Sequence, residues 1–521
     1  MDLETSRGEG RRSRRRRDKR KEASAQSKTR SQHAYRQLRN PYTPVAQLSE
    51  DQIETIHRAS LTVLEEIGIK VLLPEAREIF AAAGADVDEA AQVVRLDRAL
   101  VMESIKSAPS MITLTARNAE RTVEVGGNAV TFATVGGTPN VTDLQGGRRP
   151  GSFADFCALL KLAQTYDVIH LLGPATEPQE IDPRFRGLDM SHAQLTLSDK
   201  IPFVYSRGRE SVADAFEMIR IAHGVSEQAF PTRCFCKTVV NVNSPLQLDV
   251  SMALGIIDFA RCGQLCIVTP FTLAGAMAPV SLAGALTQQN AEALAGIALS
   301  QMTQPGAPVA YGGFTSNVDM RSGAPAFGTP EYAKAAFASG QLARRYRLAW
   351  RSSNVNASNA PDAQAAYESQ MSLWSALFGG ANVINHGAGW LEGGLTASYE
   401  KFVIDIEMLQ MFAELFEPLS CEDAELGLDA MREVGHGGHF FGAAHTLERY
   451  QNAFYEPLVS DWQNHGAWLE AGGEDAAKRA HNIWKQALAE FEPPPMAEGT
   501  REELDAFVKK RKAEGGAAPP E

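Results

Sequence analysis

Cysteine is scarce in this chain, with six residues at widely separated positions among 521. Small secreted domains that depend on disulfides instead carry many cysteines at short spacings. The sparse pattern therefore excludes a disulfide scaffold. It is typical of a protein from a reducing compartment, and we expect a cytoplasmic location.

The sequence also lacks a convincing membrane segment. Residues 262–291 contain no charged side chain, but Pro270 and Pro279 interrupt them. A buried strand, a glycine-rich loop and the start of a helix explain this stretch better than a bilayer span. The nine basic residues within 11–21 are not followed by an apolar stretch, so we predict no secretory signal and no membrane association.

Common motifs for nucleotide or hydrolytic chemistry are missing as well. There is no Walker loop, no G-x-S-x-G elbow, and no G-x-G-x-x-G at the start of the first repeat helix. Cys234 and Cys236 would share one face of a strand, yet two thiols are not a full ligand set, and glycines separate His436, His439 and His445. We predict no metal site and assign no catalytic acid, base or nucleophile.

Charge is unevenly distributed along the chain. Residues 1–40 hold 14 Lys/Arg and 5 Asp/Glu, whereas the whole chain has a net charge of −12. An acidic body argues against nucleic acid as a partner. We predict that residues 1–37 form a disordered basic tail.

A repeat of roughly 30–40 residues occupies the middle of the chain, in which each short apolar segment is followed by an amphipathic helical run. The eight segments are Thr131–Gly136, Val168–Gly173, Pro202–Ser206, Cys234–Asn241, Leu265–Thr269, Pro308–Gly312, Leu348–Ser352 and Asn382–Asn385. The helical runs begin near Ser152, Asp189, Ser211, Leu246, Ala285, Pro330, Asp362 and Ser398. Eight such units predict an α/β fold of the (β/α)₈ barrel type, over residues 131–418, with an open doubly wound sheet as the alternative.

Extensions are predicted on both sides of this repeat. Residues 38–130 indicate an N-terminal α+β extension, with a helix over 48–68 and alternating apolar and polar residues over 111–132. Residues 419–512 indicate a C-terminal helical cap, and residues 513–521 a loose tail.

The candidate site follows from the barrel prediction, because active sites of such barrels lie at the carboxyl ends of the strands. Aromatic, amide and acidic side chains are interleaved there, which is typical of a site for a methylated ammonium ion. The predicted substrate-binding residues are Tyr205, Tyr311, Phe314, Trp350, Asn354, His386, Trp390 and Glu392. Glu392 would balance the charge of the ammonium, with helix capping or pairing to Arg351 as the alternative. His386 would hydrogen-bond to a carboxylate on the substrate or would be structural.

Three stretches resemble the trimethylamine methyltransferase family. They are SEDQIETIHRASLTVLEEIGI near the N-terminus, residues 360–409 and residues 437–480. The resemblance implies a (β/α)₈ barrel that passes a methyl group from a methylamine to Co(I) of a separate corrinoid protein. Under it the chain binds no cofactor itself, because the cobalamin is held by the partner. We also expect a homo-oligomer.

This sequence departs from the founding members of the family at one chemically important residue. Founding members carry pyrrolysine, by analogy near residues 351–356, and this sequence has no such residue. Members without it resemble quaternary amine demethylases that act on glycine betaine and related betaines. A trimethylamine methyltransferase without pyrrolysine and a non-catalytic betaine-binding barrel are the alternatives.

Overall fold

Parallel strands form the centre of this mixed α/β protein, whose computed structural model describes residues 34–518. Neighbouring strands in the main sheet are, in order, Ala129–Phe132, Val383–Asn385, Trp350–Ser353, Val309–Gly312, Leu265–Val268 and Lys237–Val240. All five pairings between them are parallel. Leu38–Arg39 adds an antiparallel edge beside Ala129–Phe132. The six strands match six of the eight predicted segments.

The other two predicted segments join by isolated parallel bridges. Ala133 pairs with Leu171, and Leu171 pairs with Ile201. Phe203 pairs with Lys237 at the start of the sixth strand of the sheet. These bridges place the second and third segments between the first and the fourth.

One apolar cluster, which we call the inner cluster, receives residues from seven of the eight segments and from Ile201, which directly precedes the third. These members are Ala133, Leu171, Ile201, Cys234, Leu265, Ile267, Ala310, Ala349 and Val383. The antiparallel hairpin Met111–Leu114 and Val123–Gly126 adds four further apolar side chains. Because Leu114 pairs with Cys234 ahead of its strand, the hairpin covers the amino ends of the strands.

A helix follows each of the eight segments. The helices are Phe153–Thr165, Pro183–Leu197, Arg209–His223, Val250–Arg261, Leu282–Thr303, Pro330–Arg345, Ala363–Phe378 and Tyr399–Leu415. Ser152, Asp362 and Ser398 cap three of them by accepting backbone N–H bonds, which explains why these starts were predictable. The second and fourth starts were displaced. The second helix begins at Pro183, capped by Asp182, six residues before the predicted start at Asp189. A short strand, Gln247–Leu248, occupies the predicted start of the fourth helix, which begins at Val250.

The N-terminal extension contains both helices and strands. Its helices are Glu50–Thr62, which continues as a π-helical turn Val63–Ile67, then Pro74–Ala82 and Arg98–Ile105. Ser49 and Gln52 form a capping box at the first helix. Its strands are Ile69–Val71, Asp86–Asp88 and Val93–Arg95.

Short strands beyond the central sheet carry the connections. They are Asn140–Thr142, Arg149–Pro150, Phe271–Ala274, Phe314–Val318, Pro325–Ala326, Trp390–Leu391 and Thr396–Ser398. Phe271–Ala274 pairs in parallel with Phe314–Val318, and Thr396–Ser398 pairs in parallel with Asn140–Thr142. These pairs fix the loops that follow the carboxyl ends of the central strands.

The C-terminal region is helical. Its helices are Asp423–Leu426, Leu428–Val434, Ala444–Arg449, His465–Glu470, Ala476–Ala489 and Glu498–Ala513. The last of these is tied to the repeat helices by an ion pair between Arg511 and Asp214 at 2.6 Å. The chain after it also packs on the body, because the Ala517 N–H donates to the Arg184 carbonyl at 3.1 Å.

The predicted basic tail, residues 1–37, lies largely outside the described residues. Within its described end, the Tyr35 hydroxyl donates to the Arg121 carbonyl at 2.9 Å. No helix within residues 34–518 is long and apolar enough to cross a membrane.

Candidate active site

Two strands of the central sheet each turn a basic side chain toward the inside. Alternate residues of a strand share a face. Ala349 belongs to the inner cluster and Val239 packs against it, so Arg351 and Lys237 lie on that same face. Both residues are almost fully buried, at 2% and 1% exposure. Buried Lys and Arg are normally paired with an acid, which makes their surroundings informative.

Arg351 has few partners inside the protein. Its Nη2 donates to Nε2 of His386 at 3.1 Å, and its guanidinium carbon lies 5.1 Å from the centre of the Phe314 ring. Within residues 34–518, Nε and Nη1 have no hydrogen-bond partner. Burial lowers the pKa of Arg351 to about 10, so it still carries its charge at neutral pH.

His386 sits directly after the last central strand in a strained conformation, with φ at +58°. Burial and the charges of Arg351 and Lys237 hold its pKa well below the ordinary value. An arginine can only donate, so Nε2 of the neutral ring accepts and the proton lies on Nδ1. That Nδ1 is buried and has no partner among the described residues. His386 therefore offers one free N–H donor.

Lys237 shares the inward face with Arg351, and its positive charge helps to lower the pKa of His386. Its Nζ is 4.9 Å from the centre of the Phe203 ring. Burial, with a further contribution from Arg351, lowers the pKa of Lys237 to about 7. The two basic residues and the imidazole thus form one buried cationic group, which we call the cationic trio.

Aromatic rings adjoin the cationic trio. Phe314 lies 5.1 Å from Phe271, 5.4 Å from Phe327 and 6.2 Å from Trp390, measured between ring centres. The Trp390 ring is 4.3 Å from the His386 ring. We call Phe271, Phe314, Phe327 and Trp390 the aromatic cluster.

Asn356 fixes the orientation of Trp390. The indole N–H donates to the Asn356 carbonyl at 3.0 Å, and the Asn356 amide donates back to the Trp390 carbonyl at 2.7 Å. This reciprocal pair joins the loop after the seventh segment to the loop after the eighth. The ring edge that carries the only donor is thereby engaged, which leaves its apolar faces for contacts.

Asp405 connects the same two loops through hydrogen bonds to its carboxylate. Its carboxylate accepts from the Asn354 amide at 3.0 Å and from the Gly389 N–H at 2.8 Å. Lys401 neutralises it in a fully buried ion pair. Asn354 also donates to the Gly387 carbonyl at 3.0 Å. These bonds stabilise the chain directly after the strained His386.

Comparison with known proteins decides the family. The profile of the family described as trimethylamine methyltransferase (MTTB) matches residues 11–516. The chain belongs to the trimethylamine methyltransferase family. It is 36% identical over 471 residues to the glycine betaine methyltransferase of Desulfitobacterium hafniense strain Y51, covering 90% of this chain and 98% of the relative.

A second relative is less similar. The trimethylamine methyltransferase MttB of Desulfitobacterium hafniense strain DSM 10664 is 30% identical, covering 91% of this chain and 95% of the relative. Among solved structures, the Methanosarcina barkeri monomethylamine methyltransferase MtmB matches with a TM-score of 0.45 and 11% identity, covering 88% of this chain and 97% of that one. The family assignment makes this chain a methyltransferase, as the sequence motifs predicted.

The structure brings four predicted site residues together and leaves others apart. Phe314, His386 and Trp390 form one group, with Asn354 supporting the loop beneath them. Tyr205 lies on the third segment, 5.2 Å from Phe203 between ring centres, with Arg207 at 4.1 Å over its ring.

Tyr311 and Trp350 are placed on the opposite face of their strands. The Tyr311 hydroxyl bonds with Gln289 and Asn290, which belong to the helix Leu282–Thr303. The Trp350 ring packs against the neighbouring helices, beside Gly340 and beside Gly379, which directly follows the helix Ala363–Phe378. Their side chains fill the layer between sheet and helices and do not reach the aromatic cluster.

The predicted acidic groups are already paired. Arg148 Nε binds both carboxylate oxygens of Glu392, at 3.0 and 2.9 Å, so neither Arg351 nor a helix cap is its partner. Glu177, another acid close to the strand ends, pairs with Arg186 and Arg207. The interior therefore has an excess of positive charge, whereas the sequence predicted acidic side chains among the aromatic ones.

Sequence reasoning missed the importance of Lys237, Phe203 and Phe327, and named Arg351 only as a possible partner of Glu392. A signal was present, since KTVV and WRSS place one basic residue in an otherwise buried strand. Phe327 lies in a loop, and its role depends on the tertiary fold. Within residues 34–518, no group of three His, Cys, Asp or Glu residues could hold a metal ion.

Proposed function

We propose that this protein takes a methyl group from a quaternary amine of the glycine betaine type and passes it to Co(I) of a separate corrinoid protein. The aromatic cluster beside the cationic trio, at the carboxyl ends of the central strands, is the observation that carries this proposal. Ring faces attract an alkylammonium ion by roughly 0.5–2 kcal/mol each without a hydrogen-bond donor. The 36% identity to a glycine betaine methyltransferase supports the same substrate class.

The proposed fold is a closed (β/α)₈ barrel. The parallel bridges at Leu171, Ile201 and Phe203 support closure, because they connect the first strand to the fourth through the second and third segments. The inner cluster supports it too, since seven of the segments and Ile201, directly before the third, contribute to it. In such a barrel the aromatic cluster lies at the catalytic end.

The chemistry needs little from the protein. A quaternary nitrogen leaves as a neutral amine, so no general acid is required at the nitrogen. The chain has to bind the ammonium, orient one N–CH₃ bond toward the mouth and exclude water from the reduced acceptor. The free N–H of His386 and the charge of Arg351 hold the substrate rather than transfer a proton.

Pyrrolysine is absent from this sequence, which argues for the quaternary amine over trimethylamine. A non-catalytic binding barrel is the remaining alternative. Six free cysteines within the described residues agree with the proposed cytoplasmic setting.

The experiment mixes the purified protein with a Co(I) corrinoid protein and follows the cobalt absorbance. We expect methyl-Co(III) with glycine betaine. If methyl-Co(III) forms with trimethylamine alone, the proposed substrate class is refuted. If none of the methylated amines yields methyl-Co(III), the proposed catalysis is refuted.

A matched pair of tryptophans tests the location of the site. Trp390→Phe should lower the rate with glycine betaine, because it removes the largest ring of the aromatic cluster and its bond to Asn356. Trp350→Phe, a buried position outside the cluster, should leave the rate within about twofold of wild type. Equal effects of the two substitutions would refute this location.

A further inference from the structure

We propose that Arg351 and Lys237, together with His386, form the subsite that binds the carboxylate of the substrate and selects against amines without one. This inference rests on the proposed methyltransferase function and assigns specificity-determining residues to its site. It starts from a charge imbalance inside the protein.

The two buried cations have no acidic partner. Within residues 34–518, no ion pair joins Arg351 or Lys237 to a carboxylate, and the groups that shift their pKa values are Tyr332, Cys236 and Arg351 itself. The acids of the neighbouring loops are engaged elsewhere: Asp405 with Lys401, Glu392 with Arg148, and Glu177 with Arg186 and Arg207. An uncompensated buried charge is costly. An anion from outside the chain would neutralise it.

The unused hydrogen-bonding atoms of the trio are donors. Arg351 offers Nε and Nη1, and His386 offers Nδ1–H. Lys237 offers its Nζ, which lies 4.9 Å from the centre of the Phe203 ring. An ionised carboxylate only accepts, and it takes up to about four such bonds. The chemistry of the trio and that of a carboxylate are therefore complementary.

Phe314 connects the carboxylate subsite to the aromatic cluster. One side of the ring lies 5.1 Å from the Arg351 guanidinium, and its other neighbours are Phe271, Phe327 and Trp390. In a betaine, a short methylene spacer likewise separates the carboxylate from the ammonium. The two ends of one small molecule would thus meet the two halves of the site.

Amines without a carboxylate fit this arrangement poorly. Trimethylammonium or choline would add a third positive charge beside two buried cations, and like charges at short range in a buried site repel strongly. A betaine brings its own negative charge between them. The subsite therefore acts in specificity as well as in affinity.

Binding measurements by isothermal titration test the subsite. The ligands are glycine betaine, its two- and three-methylene homologues, choline, trimethylamine, chloride and phosphate. We expect at least one betaine to bind wild type at least about 100-fold more tightly than choline or trimethylamine. Arg351→Gln and Lys237→Met should each reduce that affinity by a similar factor, while the far-ultraviolet circular dichroism stays that of wild type.

Lys200→Met is the matched control. Lys200 is also fully buried, but its Nζ donates to the Ala163 and Tyr166 carbonyls at 2.6 and 2.7 Å. Lys200→Met protein that retains wild-type circular dichroism should bind the betaine as wild type does. If it loses affinity as Lys237→Met does, the assigned subsite is wrong.

The outcomes separate this inference from the proposed function. The subsite is overturned if choline or trimethylamine binds as tightly as every betaine. It is also overturned if no betaine binds, or if an inorganic anion binds that no betaine displaces. Methyl transfer from trimethylamine or choline would leave the methyltransferase function standing while the subsite fails. Tight betaine binding without transfer to Co(I) would leave the subsite standing while the function fails.

Discussion

Replacing Lys237 by methionine should make the ligand-free protein more stable. The pKa of Lys237 is lowered from 10.5 to about 7 by burial and by Arg351. At pH 7 this difference corresponds to a cost of roughly 4 kcal/mol for keeping the amine in the folded protein. Methionine fills a similar volume without a charge and loses roughly 1 kcal/mol in packing fit. The expected net gain is therefore about 2–3 kcal/mol.

Calorimetry or fluorescence-detected melting measures this gain. A chain of this size has an unfolding entropy of roughly 1 kcal/mol/K, so Tm should rise by about 2–3 °C at pH 7. Burial also lowers the pKa of Lys200 well below its ordinary value, but Lys200→Met should gain less stability than Lys237→Met, because two carbonyl oxygens lose their donor at roughly 1–3 kcal/mol each.

The stability gain of Lys237→Met should depend on pH in a defined direction. A lysine with a lowered folded pKa destabilises the protein below about pH 7, and the penalty is relieved as pH rises from about 7 toward 10.5. Arg351 stays charged up to about pH 10, Cys236 is neutral in its buried setting, and His386 is uncharged over this range. The advantage of Lys237→Met should thus shrink with rising pH. A variant that melts below wild type at pH 7, or an advantage that grows with pH, would refute the reasoning.

Three further outcomes follow from the site. Betaine affinity should fall as pH rises above about 7, because Lys237 loses its charge. Calorimetric titrations at pH 7 in buffers of different ionisation enthalpy should show that binding takes up roughly half a proton. Binding that is independent of pH and takes up no proton would contradict this prediction. Asp405→Asn should lower stability by roughly 3–5 kcal/mol in denaturant titrations, because it leaves Lys401 charged and buried without an anion, and an unchanged midpoint would contradict the buried pair. Asn356→Ala should reduce betaine affinity several-fold with an unchanged circular dichroism spectrum, because Trp390 loses a reciprocal bond; unchanged affinity would separate Trp390 from the ligand.

The repeat was predictable from sequence because its signals are local. Apolar β-branched segments end in polar residues, and caps such as Ser152 and Ser398 mark the following helices. The second segment is identified by sequence yet makes only isolated bridges around Leu171. The early start at Pro183 was missed, although Asp182 before a proline is a recognised start signal.

The candidate site was only partly predictable, because the tertiary fold decides which face of a strand points to the interior and which to the helices. Tyr311 and Trp350 have the right residue type near the right strand ends, but they face the helices. Strand alternation could have assigned Arg351 to the inside once Ala349 was known to lie there. The pairing of Glu392 with Arg148 joins positions 244 residues apart and had no sequence signal.

One competition experiment tests the central claim most directly. The protein is incubated with the Co(I) corrinoid protein and equal concentrations of glycine betaine and trimethylamine, and the demethylated products are quantified by mass spectrometry. We predict dimethylglycine in proportion to the cobalt methylated, and almost no dimethylamine. Dimethylamine as the main product would contradict the account.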